Sequence, residues 1–149
     1  MREKIQIITS NAPSPAGPYS QGIVFGDYVF VAGQRPQNPK TGEIKEGIQE
    51  QTKQVITNIQ SILAEYGCTL ADVVRSTVYL SDLKNFAPMN EVYSAMFSVP
   101  YPVRTTVGVQ LRGILVEIDV IAAIPKRDED LVTTTSEGEQ RFKGETEHA

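Results

Sequence analysis

Residues 104–124, RTTVGVQLRGILVEIDVIAAI, decide how this chain is expected to fold. β-Branched residues dominate two runs, Arg104 to Val109 and Ile114 to Ile124, and the step Gln110 to Gly113 separates them. Paired as a hairpin through that step, the runs set Val109 against Ile114, Val107 against Val116 and Thr105 against Ile118, which makes one apolar face. The same register sets Thr106 opposite Glu117 and Arg104 opposite Asp119, so charge gathers on the other face. Gly108, Leu115, Ile121 and Ala123 share that charged face, a mixture that suits contact with a second copy of the chain better than contact with water. Between copies, Arg104 and Glu117 would flank a small desolvated space. A structural arginine–acid pair that braces an interface fits the same pattern.

Upstream, the chain alternates strands with two helices. Lys4 to Thr9 is β-prone, and Ser10 to Ser20, rich in Pro, Ala, Gly and Ser, is a loop that carries Tyr19 to the body of the domain. Gly22 to Phe25 and Tyr28 to Ala32 are strands, and Gly26 with Asp27 between them signals a tight hairpin. Pro36 to Gly47 reads as turns with at most a short hairpin. Apolar residues recur at helical spacing from Ile48 to Tyr66, with Glu50, Lys53, Gln54, Asn58 and Gln60 on the outer side and Gly67 as the stop. Val73 to Leu80 is a strand, and Asn85 or Phe86 to Phe97 is a shorter helix with Pro88 in its first turn. This order predicts an α+β sandwich with both helices on one face of a sheet.

A chain of 149 residues, 40% apolar and 21% charged, accommodates one domain, expected over residues 1–124 with a polar extension over 125–149. No apolar block of signal-peptide length follows the N-terminus, and nowhere do about 18 apolar residues run together, which argues for a cytoplasmic protein that does not enter membranes. The single histidine, His148, stands beside the C-terminus, and Cys68 is the single cysteine, within an EYGCT turn. Triad chemistry and zinc ligation therefore lack their usual residues, and Cys68 reads as a bystander. A net charge of −4 and a pI near 5.0 argue against nucleic acid as a partner. GDYVFVAGQ has the wrong spacing for a nucleotide-phosphate loop.

Five stretches, GPYSQ (17–21), FVAGQRPQNPKTGEI (30–44), MNEVYSAMF (89–97), YPVRTTVGV (101–109) and LVEIDVIAAI (115–124), together resemble the RidA/YjgF family of reactive-intermediate deaminases. The resemblance runs from Ser10 to Ile124 with the motifs in the family's order. It implies a chorismate-mutase-like α+β fold, a homotrimer with sites between subunits, and hydrolytic deamination of 2-imino and enamine acids such as 2-aminoacrylate, 2-iminopropanoate and 2-iminobutanoate, with no cofactor and no metal. It places the carboxylate-binding arginine at Arg104 and the acid near the attacking water at Glu117. Tyr19, Gly33, Asn90 and Thr106 fall on pocket positions: a phenol, a glycine that lets backbone approach the ligand, an amide, and a position that is cysteine in some members.

Simple packing of Tyr19 and Asn90, and a Glu117–Arg104 salt bridge, are the plainer alternatives at these residues. Ala32 stands where the family usually has serine, and Arg35 where an apolar residue is common. The SVPYP loop and the QLRG turn are shorter than typical. Besides the deaminase, a non-catalytic trimer that binds small carboxylates or a regulatory partner protein fits the sequence. RNA cleavage agrees poorly with the acidic balance, and a chorismate mutase is suggested by shared fold alone.

Overall fold

The computed structural model describes residues 3–126. Its elements in chain order are β1 (Ile5–Ile7), β2 (Gly22–Phe25), β3 (Tyr28–Gln34), α1 (Ile48–Ala64), β4 (Val73–Leu80), α2 (Phe86–Met96), β5 (Val103–Gly108) and β6 (Val116–Ala123). The tight hairpin forms as expected: Phe25 pairs with Tyr28, and Gly26 takes φ 60°, a conformation that glycine adopts without steric penalty. The Pro36–Gly47 stretch holds only an isolated bridge between Gln37 and Ile44. His148 and nearly all of the polar extension lie outside the described residues. No helix among the described residues is long and apolar enough to cross a membrane.

The sheet runs β1-β2-β3-β6-β4-β5, and its last two strands in sequence are not neighbours. β4 lies between them, antiparallel to β6 and parallel to β5. The hairpin expected for 104–124 is therefore corrected. Inserted between β5 and β6, β4 has both rows of its backbone groups paired, and the β5–β6 connection passes over its end. There the Val109 amide donates to the Leu80 carbonyl at 2.9 Å, and the Ser81 amide donates to the Leu115 carbonyl at 3.1 Å.

This insertion uncouples the alternation of β5 from that of β6. Through β4, Arg104 is level with Ser76 and Val120, Thr106 with Val78 and Ile118, and Gly108 with Leu80 and Val116. Because side chains alternate along a strand, Arg104, Thr106 and Gly108 share the face that carries the buried Val116, Ile118 and Val120. Thr105 and Val107 share the opposite face with Glu117 and Asp119. The expected apolar face was right for β6 and inverted for β5.

Both helices pack on the Val116–Ile118–Val120 face. A Cβ at Gly22 of β2 would stand 3.0 Å from the Ile62 side chain of α1, and the Tyr93 hydroxyl of α2 lies 2.7 Å from the Ser76 hydroxyl of β4. Val29, Val78, Leu80, Val116 and Ile118 from the sheet meet Val55, Ile59, Ile62 and Met89 from the helices, all fully buried. Burying such side chains at roughly 1.5–3 kcal/mol each supplies the main drive for the fold.

Asn58 departs from the expected outer face of α1 and is fully buried. Its amide nitrogen donates to the carbonyls of Arg35 and Gln37 at 3.0 and 2.9 Å, and its oxygen accepts from Gln54. Gln21 and Gln51 act similarly: Gln21 bonds to backbone at Thr9, Ala12 and Pro13, and Gln51 to the Lys45 carbonyl and the Leu115 amide. Buried amides thus pin loops that hydrophobic contact alone would leave loose. The helix-free face, by contrast, exposes Phe25, Tyr28, Phe30 and Val103, the last at 63%.

Candidate active site

Arg104 projects from edge strand β5 toward α2. Its guanidinium carbon lies 4.7 Å from the Tyr93 ring centroid and 5.6 Å from that of Phe86, within the range of cation–π attraction. Tyr93 is itself held by its Ser76 hydrogen bond and by stacking on Phe97 at 4.3 Å. Burial raises the Tyr93 phenol pKa, while the Ser76 bond and the nearby Arg104 charge oppose the shift. The ring therefore stays neutral and forms a fixed apolar shelf that orients the guanidinium without neutralising it. Among the described residues Arg104 forms no ion pair.

A cleft of about 270 Å³ opens at this shelf, lined by Asn90, Tyr93, Ser94, Tyr101, Pro102 and Arg104. Asn90 lies one helical turn before Tyr93 on α2, so both side chains reach the same face. The Asn90 Oδ1 is buried with no hydrogen-bond partner, alone in this respect among the described residues. A buried acceptor without a donor carries a desolvation penalty, and a ligand N–H or O–H in the cleft would remove it. Thr106 shares the face of Arg104 two residues along β5 but does not line the cleft.

Glu117 belongs to the opposite face. Its carboxyl group packs on the backbone of Gly33, where an added Cβ would stand 3.0 Å from both Cδ and Oε2. The room that the sequence assigned to a close-approaching ligand is occupied here by the Glu117 side chain. Burial pushes the Glu117 carboxyl above the usual carboxylate range; Arg35 pulls it down and Asp119 pushes it further up. Asp119 accepts a 2.9 Å hydrogen bond from the Tyr79 hydroxyl, which raises the Tyr79 pKa.

Gly33 also lines a second cleft, of about 140 Å³, with Tyr19, Gln21, Gln34, Arg35 and Gln37 among its walls. Tyr19 is 52% exposed, and its phenol oxygen accepts the Ala16 amide at 3.0 Å, which folds the loop back on itself. Gln21 and Asn58, through the loop bonds described above, fix two walls of this cleft.

The structure therefore brings Arg104 and Asn90 together in one cleft and Tyr19 and Gly33 in another, with the Glu117 carboxyl group packed against Gly33. Within one chain the two groups do not meet. Tyr79 aligns with both Glu117 and Val107, three residues along β5 from Arg104. At usual strand spacing and rise, the Cα atoms of Arg104 and Glu117 are about 14 Å apart, with side chains on opposite faces. A salt bridge from Arg104 to Glu117 or Asp119 inside one chain is ruled out by that arrangement.

Sequence reasoning did not single out Tyr93, Phe86 and Tyr101, although Tyr93 lies inside a quoted motif at helical spacing from Asn90 and was available as a signal. Tyr101 likewise lies in a quoted motif, three residues before Arg104, whereas Phe86 comes near Arg104 only through the β4–β5 pairing, which the sequence did not indicate. Cys68 is buried and its thiol pKa is raised by burial and by Asp72, which suits a bystander.

Fold and clefts define a small α+β protein with a cationic, aromatic-floored cleft on the helix side of its sheet and a partly buried acid, Glu117, on the other face. A family model described as Endoribonuclease L-PSP matches residues 9–124. A RutC family protein of Pyrococcus abyssi is 54% identical over 119 residues, covering 78% of this chain and 94% of that protein. The 2-iminobutanoate/2-iminopropanoate deaminase of Escherichia coli is 37% identical over 121 residues, again 78% of this chain and 94% of the relative. Among solved structures, RidA from the Antarctic bacterium Psychrobacter sp. matches with a TM-score of 0.78 at 42% identity, over 80% of this chain and 99% of that one. The chain belongs to the RidA/YjgF family of reactive-intermediate deaminases.

Proposed function

We propose that this protein hydrolyses small 2-imino acids, including 2-iminobutanoate and 2-iminopropanoate, the tautomer of 2-aminoacrylate, to 2-oxo acids and ammonia in sites between subunits of a homotrimer. The observation that carries this reading is the Arg104 guanidinium, unpaired among the described residues and held on an aromatic shelf beside the orphaned Asn90 oxygen. A planar fork of this kind binds both oxygens of a carboxylate, where a lysine offers only a point charge. Asn90 Oδ1 then accepts the imine N–H, so the two residues read the two ends of a 2-imino acid.

Chemistry at the C=N carbon needs water and a group that moves protons. Glu117, with its carboxyl pKa raised by burial, suits both removal of a proton from water and its return to the departing nitrogen. Hydroxyl adds to C2 and the nitrogen takes up a proton. Glu117 then relays the remaining hydroxyl proton to the amino nitrogen as the C–N bond breaks and the C=O forms, releasing ammonia and the 2-oxo acid. Because Arg104 and Glu117 of one chain face apart, the pair is supplied by two copies. The helix-side cleft of one subunit lies against the Glu117 face of the next, with Tyr19 and Gly33 at the seam. Contact between two different surfaces is heterologous and closes into a ring, and the exposed Phe25, Tyr28 and Phe30 are available for burial in it.

Coupling the protein to a pyridoxal-phosphate dehydratase that releases 2-aminoacrylate, and following imine decay and ammonia, tests this directly. Rapid decay that is lost in Arg104→Ala is the expected result, whereas unchanged decay in that variant contradicts the assignment. Binding of several imines without any turnover would leave only a carboxylate-binding role.

A further inference from the structure

Arg35 is a second guanidinium on the molecule whose surroundings call for an anion. It follows β3, and the bond from Asn58 to its carbonyl fixes its backbone against α1. Its side chain is half-buried and lines the 140 Å³ cleft with Tyr19 and Gly33. One hydrogen bond is made, from a terminal nitrogen to the Arg112 carbonyl at 3.3 Å. No ion pair to Arg35 forms among the described residues, Glu117 included, although Glu117 feels its charge. A guanidinium carries five N–H donors, so most of its capacity is left unused by the protein at the edge of the cleft.

We propose that Arg35 is a specificity-determining residue that selects 2-imino dicarboxylic acids, the imines of acidic amino acids, over 2-imino monocarboxylic acids. This rests on the site proposed above, in which Arg104 of one copy grips the carboxylate next to the C=N and Glu117 of the next copy serves the water. Arg35 belongs to the same chain and the same cleft region as Glu117, so it stands on the far side of the reacting carbon from Arg104. A substrate with a carboxylate at each end spans the two guanidiniums. A methyl or ethyl side chain there leaves the Arg35 donors to water and gains nothing from them, so the discrimination falls on the distal group. Were Arg35 present only to moderate Glu117, it would affect every imine alike.

The test compares kcat/KM for 2-iminoglutarate and 2-iminopropanoate, each generated in place by an amino-acid oxidase, in the wild type, Arg35→Met and Arg35→Lys. The wild type is expected to favour the dicarboxylate. Arg35→Met should lower that ratio roughly 10- to 100-fold, the range a charge-assisted hydrogen bond supplies, mainly through KM, and Arg35→Lys should restore part of it. A ratio unchanged in Arg35→Met, or no preference in the wild type, overturns the proposal while leaving imine hydrolysis intact. Turnover of neither imine removes the underlying site, and this inference with it.

Discussion

Arg104 and Glu117 have different surroundings that suit the different tasks proposed for them, and single substitutions should separate them. The Arg104 guanidinium sits over the Tyr93 ring, and Arg104→Lys keeps the charge but loses the fork. A drop of roughly 10- to 100-fold in kcat/KM is expected, with a circular dichroism spectrum like the wild type's. At Glu117 the folded carboxyl pKa lies above its ordinary value because burial disfavours the charged form. A base of that kind gives kcat/KM an acid limb whose midpoint lies above the ordinary carboxylate range, and Glu117→Gln should abolish turnover at every pH.

Stability follows the same linkage with a fixed sign. Between the unfolded and folded pKa values the native state holds more protons, so the Glu117 contribution is complete below the unfolded value and is lost as pH rises through the folded one. Glu117→Gln should therefore raise the melting temperature at neutral pH and lose that advantage in acid. In the proposed trimer, cover by a second copy would deepen the burial and preserve the sign. An equal melting temperature across the range would mean that Glu117 is better solvated than the structure indicates.

Loops that shape the clefts depend on buried amides of the elements beneath them. Asn58→Leu removes the donor to the Arg35 and Gln37 carbonyls and leaves Gln54 without its acceptor. A loss of about 2–4 kcal/mol in urea unfolding is expected, in line with several buried polar groups left unpaired. Asn58 also marks where sequence reading stopped. Helical spacing located α1 and its apolar stripe, but a polar residue at the stripe's edge looks the same whether it faces water or a loop carbonyl.

Strand and helix identities were legible because apolar periodicity and punctuation by glycine and proline are local signals. The parallel β4–β5 pairing was not, since it joins residues about 28 positions apart and has no local signature. A hairpin was the economical reading of 104–124, yet it put Arg104 and Glu117 on one face. The motif likeness pointed to both residues in the chain, while their relation to each other depended on the strand inserted between them.

For the whole molecule the proposed reaction requires each chain to contribute two half-sites, one from each side of its sheet. Sedimentation equilibrium should give a trimer at the concentrations where activity is measured, and dilution to monomer should end turnover. Sharing of the site between copies is decided by mixing two inactive variants, Arg104→Ala and Glu117→Gln, after dissociation and reassembly in equal amounts. If each site takes Arg104 from one copy and Glu117 from the next, random reassembly makes about a quarter of sites complete, and activity should return to about that fraction of wild type. Mixed trimers that remain as inactive as their parents would mean that both residues must come from the same chain, and a site divided between subunits would be wrong.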